Sequence, residues 1–334
     1  MATKIINGVT WVIANDGSIT SVTNYGNNII VPDIIGGIIP LKFWNNLFKD
    51  VLTIQTISIP DTVTMLPTGF CQGASNLTDV TFTENSQLLS IGADAFHVCT
   101  SLINFNIPST VTTFVGTNQF QNCGMASVTI PAGIQTLSQA TFYSMPNLTE
   151  VIFAGGSQLT QILQGYTFSA NTKLTFVVNF PAHQITSMDT TVFHGMGTNP
   201  VVIFAETTGE TAAANFLTTY SNRFSASSGA VTFYVRPLTA QNVSTLFSAN
   251  VTVTQLLTAG ATIAQLIAAN ASIADLLAAN ITVAQLLAEN VSVADLIAGG
   301  AGVADLLAGG VTVTQLLAAN ISIADLIAGG VTIA

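Results

Sequence analysis

The stretch AFHVCTSLINFNIP, residues 95–108, contains one full unit of the repeat that decides the fold. The unit has Phe96 near its start, Leu102 six residues later and the strand-like segment FNIP at its end. Phenylalanine recurs along the chain at intervals of 22, 26, 24, 22, 26 and 25 residues, at Phe48, Phe70, Phe96, Phe120, Phe142, Phe168 and Phe193. Self-similarity at a nearly fixed period indicates a repeat architecture.

Ahead of each phenylalanine lies a segment that alternates large apolar and small polar residues, as a half-buried strand requires. These segments are IIVP at 29–32, ISIP at 57–60, VTF at 80–82, FNIP at 105–108, VTIP at 128–131, VIF at 151–153 and VNFP at 178–181. A proline directly after a strand ends it. One such coil cannot bury its apolar face alone, so we expect the coils to stack as a solenoid with a parallel sheet and one phenylalanine per coil inside.

A second repeat, ten residues long, fills residues 241–330, and VSVADLIAGG at 291–300 is typical of it. Position six is always Leu, position ten is always Asn or Gly, and position two is Ser or Thr in seven of the nine copies. Ser and Thr favour helix N-caps, and Asn and Gly tolerate the left-handed residue that follows a helix. We therefore predict a helix over positions three to nine of each copy, packed into a solenoid of short helices.

A rival interpretation of the ten-residue repeat is a β-helix, because the frame Ala-Asp-Leu-x-x also resembles a pentapeptide repeat. A β-helix would turn position three (Val283, Val293) and position seven (Leu287, Ile297) outwards and expose two apolar stripes. The helical interpretation places those residues in the core and is favoured here, although periodicity alone does not decide between the two.

The longer repeat resembles a known family. Its frame of a strand, Ile-Pro, about ten residues and then Ala-Phe-x-x-Cys-x-x-Leu is similar to the BspA-type (Treponema-type) leucine-rich repeat. The best matches are residues 95–102 and 120–123, and the opening DGSITSVTNYGNNIIVPDIIGG at 16–37 resembles the usual entry to that array. The resemblance covers residues 10–238. It implies a surface protein that acts by adhesion or protein interaction, in bacteria, protists or large viruses, without catalytic residues.

Composition divides the chain near residue 238. Every Trp, Cys, Met and Pro lies before that point, and residues 239–334 carry five acids and no base. We predict a leucine-rich-repeat domain at 1–238 and a decapeptide-repeat array at 239–334. In the first, IINGVTWVIA at 5–14 is interpreted as a strand of an N-terminal hairpin before the turn at Asp16-Gly17. TAAANFLTTY at 211–220 is expected to be a helix and AVTFYV at 230–235 a final strand of a C-terminal cap.

The charge balance excludes several functions. The chain has 16 acids and 6 bases, a net charge of −10, and 7% charged residues, where a soluble domain has about a quarter. The bases are scattered singly, which excludes nucleic acid as a partner because phosphate binding needs clustered Lys and Arg. No run of about 20 apolar residues predicts a transmembrane segment, and no clear signal peptide is present. We expect an extracellular, cell-surface or virion-surface location.

Sequence motifs argue against an enzyme. GxSxG, Walker A, GxGxxG and HExxH are all missing from the sequence, so we expect no catalytic residues and no cofactor. Cys99 and Cys123 stand three residues after a repeat phenylalanine, a position taken elsewhere by Val51, Gly73, Met145, Asn171 and Met196. We therefore treat it as a core position open to interchangeable apolar residues and expect buried thiols there and at Cys71, not disulfides. No Asp or Glu is spaced as a ligand set around His97, His183 or His194, so we expect no metal site.

Two surfaces are candidates for binding. Outward strand positions, including Thr81, Asn106 and Thr129, form either a solvated sheet or an interaction face that uses no charge. The decapeptide array stops at Val331, Ile333 and Ala334 without a polar cap, so either this end docks on another chain or the chain was cut there. A contact of that kind that does not close builds a filament.

Two functions follow from these surfaces. The favoured one is a self-assembling structural subunit of an extracellular filament or virion surface, whose main partner is another copy of itself. The alternative is an adhesin whose leucine-rich-repeat face binds a host or matrix protein, with the decapeptide array as a stalk.

Overall fold

The computed structural model describes residues 2–33, 35, 38–39, 41–197, 201–205, 215–216, 218–220, 231–235, 237–248 and 250–331. The chain divides into two compact units, Met1–Val235 and Arg236–Ala334. The first is a β-solenoid and the second a run of short helices, as the two repeats predict.

The first unit opens with three antiparallel strands, β1 (Ala2–Ile6), β2 (Val9–Ile13) and β3 (Ser18–Thr23). The single strand predicted over IINGVTWVIA is wrong, because Asn7 and Gly8 divide it. Both residues have positive φ, 52° and 80°, which is the geometry of a tight two-residue hairpin turn. Trp11 of β2 is fully buried and anchors the hairpin in the core.

The strands predicted from the longer repeat are all present and are mutually parallel. They are β4 (Asn28–Ile30), β6 (Thr56–Ile59), β8 (Asp79–Phe82), β10 (Asn104–Phe105), β12 (Ser127–Ile130), β14 (Glu150–Phe153) and β16 (Phe176–Phe180). Two further parallel strands, β18 (Val201–Ala205) and β19 (Val231–Val235), follow β16. The strand expected at AVTFYV is therefore confirmed. In the stretch TAAANFLTTY, residues 215–216 and 218–220 are helical, and the rest lies outside the described residues.

Each coil also carries a second, shorter strand that the sequence did not reveal. These strands are β5 (Lys42–Phe43), β7 (Met65–Leu66), β9 (Ser90–Ile91), β11 (Thr113–Phe114), β13 (Thr136–Leu137), β15 (Gln161–Ile162) and β17 (Ser187–Met188). They form a second parallel sheet that β3 joins through β5. We call the sheet side that contains β4 to β19 the first face and the side that contains β5 to β17 the second face.

A column of phenylalanine rings fills the solenoid, as predicted. Phe96, Phe120, Phe142 and Phe168 are at most 1% exposed, and successive rings stack at centroid distances of 5.7, 5.5 and 5.6 Å with interplanar angles of 8°, 1° and 3°. Burying a Phe side chain contributes about 1.5–3 kcal/mol. The column therefore gives each coil a large share of its apolar burial.

The predicted position of the repeat phenylalanine is wrong in one coil, the coil that contains Phe70. The N–H of Cys71 donates to the carbonyl of the residue before Phe96, and Phe96 makes the same bond to the residue before Phe120. Cys71, not Phe70, thus holds the position of Phe96, and Ala74, not Gly73, is the third residue after it. Phe70 stays buried one position earlier, with its ring centroid 6.1 Å from that of Phe96.

Both sheets are interrupted at the same point. On the first face β10 pairs with β8 but not with β12, and on the second face β11 pairs with β9 but not with β13. We call this interruption the seam. Eight residues separate Phe120 from Val128, where nine separate Phe96 from Phe105. The shortened coil passes close to its neighbour, since a Cβ on Gly124 would lie 2.5 Å from the Thr100 carbonyl oxygen.

The second unit is helical, so the β-helix alternative is wrong. Within residues 237–248 and 250–331, α1 (Ala240–Ser248) precedes eight helices of six residues each. These are α2 (Val253–Thr258), α3 (Ile263–Ala268), α4 (Ile273–Ala278), α5 (Val283–Ala288), α6 (Val293–Ala298), α7 (Val303–Ala308), α8 (Val313–Ala318) and α9 (Ile323–Ala328). Each spans positions three to eight of its repeat, one residue fewer than predicted.

The predicted caps are present at both ends of the short helices. The hydroxyl of Thr282 accepts from the N–H of Gln285, and the Gln285 amide accepts in turn from the N–H of Thr282 at 2.8 Å. Where Asp replaces Gln the side chain is one methylene shorter, and it accepts from the cap hydroxyl instead, at 2.6 Å between Ser292 and Asp295. Asn at position ten, such as Asn290, has φ near 63°.

Helices two repeats apart stack on each other, so each coil of the array holds two helices. Position-six leucines are buried throughout, from Leu246 to Leu326. The expectation that position seven also lies in the core is wrong. Leu287 and Ile297 are half-buried, and Leu317 and Ile327 are 47% and 48% exposed.

Candidate interaction surface

The first face of the solenoid places two of the three predicted interaction residues side by side. Val80 and Phe105 are partners in the ladder between β8 and β10, and both point into the core. Thr81 and Asn106, one residue further along each strand path, therefore point outwards, and both are exposed. The outward alternation predicted from the sequence is correct here.

A groove of about 350 Å³ opens around these two residues. Its lining comes from two adjacent coils, namely Val80, Thr81, Phe82, Thr83, Glu84, Ser86, Asn104, Asn106, Ile107, Pro108, Ser109 and Thr110. Hydroxyl and amide groups surround an apolar floor to which Phe82 contributes. Behind the floor the Phe82 ring meets the buried ring of Phe105 edge to face at 5.7 Å. A few polar groups over an apolar floor is the usual composition of a binding surface.

Side-chain hydrogen bonds run between coils along the edge of this groove. Asn104 Nδ2 donates to Asp79 Oδ1 at 2.7 Å, and further from the groove Ser127 Oγ donates to Glu150 Oε2 at 3.2 Å. Within the described strands of the first face, the charged side chains are Asp79 and Glu150, both acidic. Glu84, which lines the groove, is acidic as well.

Thr129, the third predicted residue, does not belong to the groove. It is exposed on β12, but β12 lies across the seam from β10 and pairs with β14. The polar outward row also ends further along the solenoid, where Phe176, Val178 and Phe204 are at most 1% exposed. The row of outward polar side chains is therefore shorter than the sequence predicts.

The three thiols are buried and free, as expected for the described part of the chain. Cys99 Sγ donates to the Cys71 carbonyl at 3.0 Å and Cys123 Sγ to the Phe96 carbonyl at 3.1 Å. Burial raises the pKa of the Cys99 thiol to about 12 and raises those of Cys71 and Cys123 well above their ordinary value. A thiol that stays protonated is a poor nucleophile, so these groups are structural.

Asn171 shows that the position three residues after the phenylalanine is not interchangeable among apolar side chains. Its amide is fully buried, accepts from the Met145 N–H at 2.7 Å and donates to the carbonyls of Phe142 and Phe168 at 2.9 and 2.7 Å. The thiols of Cys99 and Cys123 also donate at this position. The position thus selects for small hydrogen-bonding groups as well as apolar ones.

His97 has one acidic neighbour in the structure. Asp94 Oδ1 lies 3.4 Å from His97 Nδ1, and Gln72 Nε2 lies 3.3 Å from the same nitrogen. Among the residues that the structure describes, no three His, Cys, Asp or Glu side chains come together as metal ligands. No helix in the described ranges is long and apolar enough to cross a membrane.

The predicted assembly end is described in part. Val331 is half-buried, and Ile333 and Ala334 lie outside the described residues. Ile323 on α9 is 65% exposed. Together with Leu317 and Ile327 it forms an exposed apolar patch on α8 and α9, which we call the terminal patch.

Comparison with known proteins identifies the longer repeat. The family described as "BspA type Leucine rich repeat region" matches residues 42–124 and 66–200, in six copies. No curated protein matches the chain.

Three solved structures illustrate the similarity. A leucine-rich-repeat protein from T. pallidum is 22% identical over 51% of this chain and 79% of its own, with a TM-score of 0.46. A leucine-rich cell surface protein from Faecalibacterium prausnitzii is 22% identical over 55% of this chain and 56% of its own, with a TM-score of 0.42. A leucine-rich-repeat protein from Bacteroides capillosus is 22% identical over 38% of this chain and 97% of its own, with a TM-score of 0.31. The solenoid coils of residues 42–200 match the model of a BspA-type leucine-rich-repeat region.

Proposed function

We propose that this chain is a non-enzymatic surface protein that binds another protein through the first face of its leucine-rich-repeat solenoid. The observation that carries the proposal is the groove around Thr81 and Asn106, where exposed polar side chains of two coils surround an apolar floor. Leucine-rich-repeat proteins commonly bind partners through such extended solenoid surfaces. A host or matrix protein is the partner class, with the helical array as a stalk.

The acidic side chains around the groove refine the kind of partner. Glu84 lines the groove and Asp79 stands beside it, so a partner loop that carries Lys or Arg gains favourable contacts there. Such contacts weaken as salt is raised, because the distance over which exposed charges interact, about 8–10 Å at 0.1–0.15 M salt, becomes shorter. Binding through this face should therefore be strongest at low ionic strength.

The test measures binding of the purified full chain to a panel of purified extracellular-matrix proteins by surface plasmon resonance. We expect Thr81→Arg to abolish binding, since it places a large cation in the groove. Thr68→Arg is the matched control, because Thr68 is exposed in a turn outside the groove and carries the same change of charge. Equal binding by both variants, or no binding to any panel member, would overturn the proposal.

A second function, self-assembly, is favoured by the terminal patch. Leu317, Ile323 and Ile327 are 47%, 65% and 48% exposed, and large exposed apolar groups mark interaction sites. A second copy that offers an apolar helix surface would cover the terminal patch, in a filament or virion coat.

Solution mass and negative-stain microscopy of the full chain test this second function. Filaments or dimers that disappear in Ile323→Ser but persist in Ile30→Ser would support it. Ile30 is the control because it is 72% exposed in the other unit. A monomer at every concentration reached would exclude self-assembly through the terminal patch and leave the first-face function intact.

A further inference from the structure

The seam opens a second groove, on the second face of the solenoid. The groove has a volume of about 430 Å³ and spans the interruption between β11 and β13. It is lined by Thr112, Thr113, Phe114, Gly133, Gln135, Thr136, Ser138 and Gln158. None of these side chains is charged, and Phe114 is 6% exposed. The lining therefore consists of hydroxyl and amide groups beside an apolar floor.

Between β11 and β13 the backbone lacks the hydrogen bonds that join the second-face strands of other coils. Between β13 and β15, for example, Gln161 N donates to the Gln135 carbonyl at 3.3 Å and Leu163 N donates to the Leu137 carbonyl at 2.8 Å. One coil earlier no such bond joins β11 to β13, although the same two coils are bonded further along, where Asn118 N, Phe120 N and Asn122 N donate to the carbonyls of Gln139, Thr141 and Tyr143. The N–H groups of Thr136 and Ser138 and the carbonyls of Thr112 and Phe114 thus have no backbone partner across the seam.

Two edges of opposite character therefore face each other in the groove. The β13 edge offers hydrogen-bond donors and the β11 edge offers acceptors, and no backbone hydrogen bond joins the two edges. A group placed between them satisfies both edges only when it accepts and donates at once. A hydroxyl does this, since it has one O–H donor and two acceptor lone pairs.

Side chains around the two strand edges offer further hydrogen-bond donors and acceptors. The hydroxyls of Thr113 and Thr136 and the amides of Gln135 and Gln158 make no hydrogen bond within the residues that the structure describes. The Ser138 hydroxyl donates to the Gly116 carbonyl, which fixes one wall of the groove. Gly133 leaves space in the groove beside Thr112, because a Cβ at residue 133 would lie 2.8 Å from Thr112 Cγ2.

We propose that the seam groove binds a neutral oligosaccharide. Successive ligand hydroxyls would bridge the two backbone edges and meet the amides of Gln135 and Gln158, while the ligand's C–H surface packs against the Phe114 side of the groove. The uncharged lining selects against anionic and cationic ligands, whose charge would lose water without gaining a partner. This site lies on the opposite sheet from the first-face groove and is independent of the protein-binding function.

Isothermal titration calorimetry of the full chain with cellohexaose, maltohexaose and chitohexaose tests the proposal. We expect at least one hexasaccharide to bind, and Gln135→Ala and Gln158→Ala each to weaken it by about tenfold, the scale of one buried polar contact. Gln55→Ala is the matched control, because Gln55 is exposed outside the groove. Thermal melting checks that each variant is folded.

A second variant removes no polar group. Gly133→Ala narrows the groove beside Thr112 and should also weaken binding, because it leaves less room for a sugar ring. The proposal is overturned if no hexasaccharide gives heat at millimolar concentration. It is also overturned if Gln55→Ala weakens binding as much as Gln135→Ala, or if an uncharged Gly-Ser decapeptide binds as tightly as the sugars do.

Discussion

Gly299 lies directly against Ile273, two repeats earlier in the helical array. A Cβ built on Gly299 would stand 2.5 Å from both Cβ and Cγ2 of Ile273, closer than any real Cβ contact. The same relationship joins Gly309 to Val283 and Gly329 to Val303. The residue at position nine of a repeat therefore limits how closely the end of its helix approaches position three of the helix two repeats earlier.

Gly299→Ala is expected to destabilise the array. The backbone of Gly299 has φ of −79°, so alanine is not strained there and the effect comes from the clash with Ile273. Overpacking of this kind costs about 1–3 kcal/mol. Thermal melting followed by circular dichroism at 222 nm should show an earlier helical transition.

The control for this substitution is Gly300→Asn. Gly300 has φ of 90° with no atom within 4 Å of the added Cβ, and Asn290 and Asn320 occupy equivalent positions. Gly300→Asn should melt within a few degrees of the natural chain. If Gly299→Ala also melts there, the close contact between stacked helices is not what holds them in place.

Leu286→Asp should collapse the array locally. Leu286 is fully buried on α5, and an unpaired carboxylate in that environment loses its hydration without compensation. Loss of the leucine packing alone costs about 2–5 kcal/mol. Leu287→Asp, at the half-buried neighbouring position, is the control and should keep most of the helical signal. Wild-type helicity and melting in Leu286→Asp would show that position six is not the packed stripe.

The sequence predicted the first-face strands because they are long enough to show alternation. Ile57 and Ile59 in β6 flank Ser58, and a proline then ends the strand. The second-face strands are two residues long, such as Met65–Leu66, and two residues cannot show a period. Their pairing comes from the stacking of coils, which is a tertiary effect.

The sequence did not reveal that Cys71 holds the repeat position of Phe96, because the neighbouring Phe70 also fits the spacing. Phe70 fits the phenylalanine spacing as well as Cys71 does, and only the backbone bond from Cys71 to the next coil separates the two. Counting back six residues from Leu77, as Phe96 stands six before Leu102, would have found the shift. The seam could have been found in the same way, from the missing residue between Phe120 and Val128.

The candidate sites were predictable to different degrees. Thr81 and Asn106 follow from strand alternation alone, and the structure places them in one groove. Thr129 shares their pattern but not their sheet, because strand pairing across the seam cannot be read from local periodicity. The seam groove exists because the second-face strands of two neighbouring coils do not pair. The residue types of Gln135 and Thr136 give no indication of this missing pairing.

Asn171→Leu is expected to destabilise the solenoid strongly. The substitution leaves the Met145 N–H and the carbonyls of Phe142 and Phe168 without the side-chain partner that they now have. Each unsatisfied buried group costs about 1–3 kcal/mol. Urea unfolding should show a lower midpoint with an unchanged slope.

The control is Met145→Leu, at the same position one coil earlier. This substitution keeps the side-chain volume and should cost less than about 1.5 kcal/mol. Similar midpoints for both variants would contradict the hydrogen-bonding role of Asn171.

The raised pKa values of the three buried thiols predict that the free energy of unfolding falls at alkaline pH. Burial raises the pKa of Cys99 to about 12, whereas an exposed thiol in the unfolded chain titrates near pH ~8.5. Above that pH the unfolded state loses protons that the folded state keeps, so each thiol lowers the free energy of unfolding by about 1.4 kcal/mol per pH unit. For Cys99 the loss continues until about pH 12. Urea unfolding at pH 8 and pH 10 should show this fall, and Cys99→Ala should reduce its slope by one thiol's share. An unchanged slope in Cys99→Ala would mean that this thiol already ionises in the folded protein.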